Sequence, residues 1–232
     1  MQTQAGHRKR VKDRFRKEGL DGFEEVHVLE LLLFYAIPQR DTKDLARALL
    51  NHFGSLPLVL EATVDELMKV PGIGENTATF LNLVMASGRY YALRKTDRPV
   101  ILDSTSKYGQ YLVDCFMGIR NETVYVLCLD AKCKVLCCQK VGEGDVNSAN
   151  VPLRRVVEIA LGVNATTVIL AHNHPSGLAL PSPEDVHTTE RVAAALGAMD
   201  IILADHVIVA DEDFVSLVHS RAYDPRQFSR LI

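Results

Sequence analysis

The stretch from Thr166 to Asp185 reads TTVILAHNHPSGLALPSPED, and it decides how the C-terminal part of the chain folds. Its first six residues are apolar or β-branched and predict a buried strand that ends at Ala171. His172 and His174 follow with one residue between them, and alternate side chains of an extended chain point to the same side. Two imidazoles at the end of a strand can therefore bind one metal ion.

The end of the same stretch predicts the start of a helix. Ser182 has a side chain preferred at an N-cap, Pro183 suits the first helical position, and Asp185 lies in the first turn. Because a cap fixes the first turn, we expect it to direct Asp185 toward the two histidines. His172, His174 and Asp185 then supply three ligands, the number that a catalytic zinc takes while one position stays open for water. This ligand set suits Zn²⁺ best, with Mn²⁺ or Fe²⁺ as alternatives.

The rest of the chain predicts two domains. Residues 23–94 have apolar residues at helical spacing and no strand pattern, which predicts a small all-helical domain over 1–95. The charged segment RKTDRPV ends this region as a linker does. Beyond it, over 96–232, strand patterns alternate with helical ones and predict an α/β domain. The strand patterns are TVYVLCLD, KVLCCQKV, TTVILAHN and IILADHVIVA, and the helical ones are PLRRVVEIALGVN and PEDVHTTERVAAALGAMD.

Composition narrows the class of protein. The 232 residues are 47% apolar and 24% charged, which is typical of a globular protein. No apolar run resembles a signal peptide or a membrane span, and an odd number of cysteines, five, argues for reduced thiols. We therefore expect a cytoplasmic protein without a membrane partner. The net charge of −3 does not indicate a polycation, but seven basic residues and one acidic residue lie within Arg8 to Lys17.

The segment LMKVPGIGENTATFL predicts two helices joined by a PGIG hairpin. The backbone of Gly72, Ile73 and Gly74 could approach a phosphate at the start of the second helix, as in the helix-hairpin-helix motif of DNA-binding proteins that it resembles. The basic residues Arg8, Lys9 and Arg10 could add phosphate contacts, whereas the carboxylate of Glu75 would repel a phosphate. Such a hairpin can also be a compact structural turn or a protein-binding surface.

HNHPSG followed by Ser182 and Asp185 resembles the JAMM signature of the Jab/MPN metalloproteases. The whole chain is similar to the RadC family of bacterial proteins, which is associated by name with DNA repair. GHRKRVKDRFRKEGLDGF, the FGSL at Phe53, PGIG, the LD at Leu129 and NHPSG occur in the order of that family. The resemblance covers nearly the entire chain. At NVPLRR, however, Pro152 and Arg155 stand where the family has a His and a Glu.

The resemblance implies a three-layer α/β/α domain with a mixed sheet, of the deaminase-like architecture. It implies one zinc ion per chain and hydrolysis of a peptide or isopeptide bond by a water molecule that the metal activates. The family's general base is a glutamate just ahead of a strand, and Glu122 matches it, fifty positions before His172. Ser182 would stabilise the oxyanion.

Three other functions compete with this one. A metal-dependent enzyme acting on nucleic acid could use the same site, although many phosphodiesterases hold two metals with several carboxylates. A non-enzymatic, DNA-binding accessory protein could retain the fold with an idle site. A zinc deaminase is disfavoured, because neither HxE nor PCxxC occurs in the sequence.

Overall fold

The computed structural model describes residues 4–38, 41–94, 100–144, 151–175 and 177–228. The chain divides into two compact units, Met1–Tyr90 and Tyr91–Ile232. None of the described helices combines the length and the apolar composition that crossing a bilayer requires. All five cysteines are free thiols.

All the regular elements that the structure describes in the first unit are helices. Its helices are α1 (Gln4–Glu18), α2 (Glu25–Ala36), α3 (Lys43–Phe53), α4 (Leu56–Glu61), α5 (Val64–Met68) and α6 (Glu75–Arg94). Leucines at helical spacing meet in one core, because each helix turns its apolar stripe inward. The fully buried members of that core include Leu29, Leu33, Leu49, Leu67 and Leu81.

The hairpin between α5 and α6 has the predicted arrangement. Thr63 begins α5 with a capping box, in which the Glu66 carboxylate accepts from the Thr63 N–H at 2.8 Å. Gly72 has a φ of 93°, a left-handed value that explains why glycine stands there. Ala78, on the first turns of α6, is completely buried. The sequence therefore predicted the helix-hairpin-helix correctly.

The second unit is built on a mixed sheet. The described strands are β1 (Thr123–Leu129), β2 (Val135–Glu143), β3 (Thr167–Asn173), β4 (Ile202–Ala210) and β5 (Asp213–Ser216), in the order β2-β1-β3-β4-β5. Only β3 and β4 are parallel, and the other three neighbouring pairs are antiparallel. The helices are α7 (Thr105–Phe116), α8 (Leu153–Gly162) and α9 (Pro183–Gly197), and α9 is the crossover between β3 and β4.

Alternation along the strands divides the core between the two faces of the sheet. Leu170 and Ile208 face α8 and α9, whereas Ile169 and Val207 face α7. The sheet is thus the middle of three layers, and the predicted α/β/α architecture is confirmed. The same alternation puts His172, two residues after Leu170, on the face covered by α9.

Four elements of the fold were not predicted. The segment of α1 was interpreted as a basic run, because this helix has few apolar residues. The short helix α4, with Pro57 in its first turn, was also missed. The other two are α7, where Gly109 interrupts the pattern, and β5, which has only four residues. Packing explains why glycine stands at position 109, since a Cβ there would lie 2.2 Å from the ring of Phe214 on β5. The helix can pack closely on β5 only with glycine at this position.

Candidate metal centre

His172 and His174 come together at the end of β3. The Nε2 atoms of the two rings are 2.8 Å apart, although His172 is almost fully buried and His174 keeps 21% of its side chain exposed. The His174 N–H donates to Val209 O at 2.8 Å, so the chain is still aligned with β4 one residue beyond the end of β3. The extended backbone therefore does what the spacing predicts, and both rings face one point.

Asp185 reaches the same point from the first turn of α9. Its Oδ1 is 3.2 Å from His172 Nε2, and its Oδ2 is 3.8 Å from His174 Nε2. Candidate ligand atoms of the three residues all lie within 4.8 Å of one another, and this is the one such group of three among the residues that the structure describes. The predicted ligands are thus assembled.

A capping box aims the Asp185 carboxylate. The Ser182 N–H and hydroxyl both donate to Asp185 Oδ2, at 2.8 and 2.7 Å, and Ser182 Oγ accepts from the Asp185 N–H at 3.1 Å. The sequence therefore predicted the N-cap correctly. Burial alone would raise the pKa of Asp185, but the neighbouring His172 ring and the two donors of Ser182 hold it below its usual range.

The hydroxyl of Ser182 is used within the cap. A serine has one O–H hydrogen, and here Asp185 Oδ2 accepts it. The oxyanion role that the resemblance implies for Ser182 therefore requires this hydroxyl to rotate away from Asp185.

The donor set fits a divalent metal. The Nδ1 of His174 is 3.0 Å from Leu178 O. A carbonyl can only accept, so this nitrogen carries the ring hydrogen and the Nε2 of His174 turns a lone pair inward. Two imidazole nitrogens and one carboxylate oxygen match the ligands of catalytic zinc sites.

Glu122 lies directly before β1, beside the end of β3. Val124 pairs with His172 across the two antiparallel strands, so the two side chains share a face. Glu122 precedes Val124 by two residues and is on that same side of an extended chain. It is half-buried and is not one of the three clustered ligands. This position is compatible with a base beside the metal, which is the role predicted for it.

Asn173, the middle residue of HNH, holds the backbone on both sides of Glu122. Its Oδ1 accepts from the Thr123 N–H at 2.7 Å, and its Nδ2 donates to Asn121 O at 3.1 Å and to Ile119 O at 3.2 Å. No role was predicted for this residue from the sequence. An amide side chain at a buried position was the signal, because such a group needs hydrogen-bond partners.

His206 and Thr189 were also missed. The ring of His206 lies between His172 Nδ1, at 2.8 Å, and Thr189 Oγ1, at 2.6 Å. Burial, and then the nearby His172, lowers the pKa of His206 well below its usual range. The signal in the sequence was the polar pair Asp205-His206 within the otherwise apolar strand IILADHVIVA, since buried polar groups require partners.

The residues predicted to contact DNA lie in the helical unit. Gly74 O accepts from the N–H groups of Thr77 and Ala78, at 3.0 Å each, and so opens α6. The guanidinium of Arg8 donates to Pro38 O at 2.6 Å and to Ile37 O at 2.7 Å, carbonyls just past the end of α2.

Arg8 is therefore used within the fold, whereas Lys9 and Arg10 are exposed. The hairpin residues Gly72 and Ile73 lie between α5 and α6, and the side chain of Ile73 is buried.

Comparisons with known proteins agree with this arrangement. Residues 42–79 match the SAM-like helix-hairpin-helix tandem family, and residues 102–222, more than half of the chain, match the RadC-like JAB domain. A UPF0758 protein of Fusobacterium nucleatum subsp. nucleatum is 33% identical over 220 residues, which are 92% of this chain and 95% of the relative. A UPF0758 protein of Ruegeria pomeroyi is 36% identical over 203 residues, 88% of this chain and 91% of the relative. The chain therefore belongs to the RadC family, in which a helix-hairpin-helix region precedes a JAB domain.

Proposed function

We propose that this protein is a JAMM-type metallohydrolase that cleaves amide or isopeptide bonds in peptides or proteins. The observation that carries the proposal is the convergence of His172, His174 and Asp185, with the lone pair of His174 turned inward. Membership of a family whose domain is generally hydrolytic supports it.

The ligands would be His172 Nε2, His174 Nε2 and Asp185 Oδ1, because the other carboxylate oxygen is occupied by Ser182. Zn²⁺ is the ion that we propose, with Mn²⁺ and Fe²⁺ less favoured by two nitrogens and one oxygen. When bound, the ion supplies a Lewis acid that lowers the pKa of water and polarises a carbonyl.

Glu122 would act as the general base and then as the general acid. Its carboxylate would take a proton from the attacking water and return it to the leaving amine. The three hydrogen bonds of Asn173 support this role, because they fix the backbone on either side of Glu122. A base that must stay within hydrogen-bond reach of its substrate needs such a fixed backbone.

The proposal is tested by metal content and hydrolysis together. Purified protein should hold about one equivalent of zinc, and His174→Ala should hold little. Glu122→Gln should keep the metal but lose hydrolysis of isopeptide-linked proteins and peptides by about 10²-fold or more. Glu143→Gln is the matched control, since this exposed acid ends β2 opposite Thr123 and should be active.

The opposite result would exclude these assignments. A wild-type protein that binds no divalent ion, or that loses no metal with His174→Ala, contradicts the metal site. Full activity of Glu122→Gln contradicts the base and leaves the ligands unaffected.

We also propose that the helical unit contacts DNA and so connects the hydrolase to DNA metabolism. The match to a helix-hairpin-helix family and the exposed Lys9 and Arg10 favour this second role. The same two features are compatible with the alternative of a nucleic-acid-processing enzyme. Branched DNA therefore belongs in the substrate panel beside the peptides.

A further inference from the structure

We propose that Thr189 and His206 are positioning residues that fix the tautomer of His172, so that its Nε2 presents a lone pair to the metal. This inference rests on the proposed metal site. It follows from the direction of three hydrogen bonds, each determined by the one before it.

The series begins at a backbone carbonyl. Thr189 Oγ1 is 2.6 Å from Asp185 O, one turn earlier in α9. A carbonyl has no hydrogen, so the threonine must donate, and its single O–H hydrogen is then used. Thr189 is completely buried, which excludes water as an alternative partner. Toward any other neighbour its oxygen can only accept.

His206 is that other neighbour. Its Nδ1 is 2.6 Å from Thr189 Oγ1 and must therefore carry the hydrogen. The ring has 1% of its surface exposed, and a charged imidazolium is costly to bury. A neutral ring with its hydrogen on Nδ1 has a lone pair on Nε2.

The lone pair of His206 determines the hydrogen on His172. His206 Nε2 lies 2.8 Å from His172 Nδ1, so His172 donates from Nδ1. Its Nε2 is then without a hydrogen, and this is the atom that faces His174 Nε2 and Asp185 Oδ1. Ligand histidines commonly donate their other N–H to a neighbouring group in this way, which fixes both tautomer and ring orientation.

Only hydrogen-bond acceptors therefore face the proposed metal position. The carbonyl of Leu178 fixes the tautomer of His174, and the series from Asp185 O fixes that of His172. No ring hydrogen is left between the two Nε2 atoms, which are 2.8 Å apart. A cation is the partner that such an arrangement lacks, and the protein has placed its ring hydrogens before any ion arrives.

The first test reads the tautomers directly. Metal-free, ¹⁵N-labelled wild-type protein at a pH about two units above the ordinary histidine pKa is examined by long-range ¹⁵N–¹H correlation. We expect His172 and His206 both to carry the hydrogen on Nδ1. The signals are assigned with His206→Gln and His174→Ala. An Nε2–H form of either ring overturns the proposal, and the tautomers themselves are measured on the wild-type protein.

The second test measures zinc affinity by competition with a chelator. Thr189→Val keeps the shape of the side chain but removes the hydroxyl that accepts from His206 Nδ1, so we expect zinc to bind about 10- to 100-fold more weakly. Thr189→Ser restores the hydroxyl and should bind within about twofold of wild type. Thr188→Val is the matched control, because Thr188 is equally buried on the same turn and is not part of the series. It should bind zinc as wild type does.

Unchanged zinc affinity of Thr189→Val overturns the proposal, as does an equal loss in Thr188→Val. The proposed hydrolysis can fail separately: protein that binds zinc with the expected tautomers but cleaves no amide contradicts the proposed function alone. Protein that cleaves amides with an Nε2–H form of His172 contradicts this inference alone.

Discussion

The two carboxylate oxygens of Asp185 have different roles, one in the cap of α9 and one at the proposed metal site. Oδ2 accepts both donors of Ser182 and so begins α9, whereas Oδ1 faces His172. One residue therefore determines where the helix starts and where a ligand points. The sequence could reveal this, because a helix cap and an HxH pair are both local patterns.

Asn173 gives a prediction at the scale of one residue. Asn173→Ala removes three hydrogen bonds around Glu122 and leaves the buried N–H of Thr123 without an acceptor. We expect kcat to fall by about 10- to 100-fold, because small displacements of a catalytic group are costly. The free energy of unfolding should fall by about 1–3 kcal/mol.

Zinc content separates this effect from loss of the site. Asn173→Ala should retain zinc, since no ligand is changed, and KM should move less than kcat. A variant that loses zinc as well would show that Asn173 supports the ligands and not Glu122 alone.

At the scale of elements, the contact of α7 with β5 depends on Gly109. A methyl group there would meet the Phe214 ring at 2.2 Å, so Gly109→Ala should lower the free energy of unfolding by about 1–3 kcal/mol. Gly88→Ala is the control, because it also lies within a helix and its Cβ would meet no atom within 4 Å. That change should stabilise the protein by about 0.5–1 kcal/mol.

Urea denaturation of both variants measures the two effects. Combining Gly109→Ala with Phe214→Leu should recover part of the loss, because the smaller side chain makes room for the methyl group. Equal stability of Gly109→Ala and wild type would mean that α7 can move away from β5 without cost.

The sequence predicted the elements near the metal ligands better than the side-chain contacts between those elements. The strand, the two histidines, the cap and the start of the helix lie within one continuous stretch, so their order could be predicted from the sequence. The contact of His206 with His172 depends on β4 pairing in parallel with β3, in the register of Leu170 with His206, which periodicity alone does not determine. Asn173 was missed for the same reason, since its partners lie fifty positions or more away.

At the scale of the whole molecule, zinc should stabilise the second unit selectively. An ion that binds only the folded form adds about 2.7 kcal/mol at a free concentration 100 times its Kd. Hydrogen exchange should therefore slow in β3, α9 and β4 when zinc is added, and return to its former rate with a chelator. The core of the first unit serves as the internal reference, and His174→Ala should show no response.

DNA binding by the full chain should depend strongly on salt. Phosphate contacts release counterions, so the logarithm of the affinity should fall linearly with that of the salt concentration. Lys9→Glu with Arg10→Glu should weaken binding and reduce the slope by about 2. Arg154→Glu, an exposed charge reversal in the other unit, is the control. No binding to duplex or branched DNA at low salt would exclude this role.

The proposed ligands and the residues that fix them lie within a single β-α-β segment, β3, α9 and β4, whereas Glu122 joins it from the neighbouring strand. In evolutionary terms, ion binding and hydrolysis are therefore separable characters. A descendant could lose catalysis through one substitution at Glu122 and still inherit the ion and the fold. Losing the ion through a change of Asp185 would also remove the cap of α9. Within this lineage we therefore expect Asp185 to be substituted less often than Glu122.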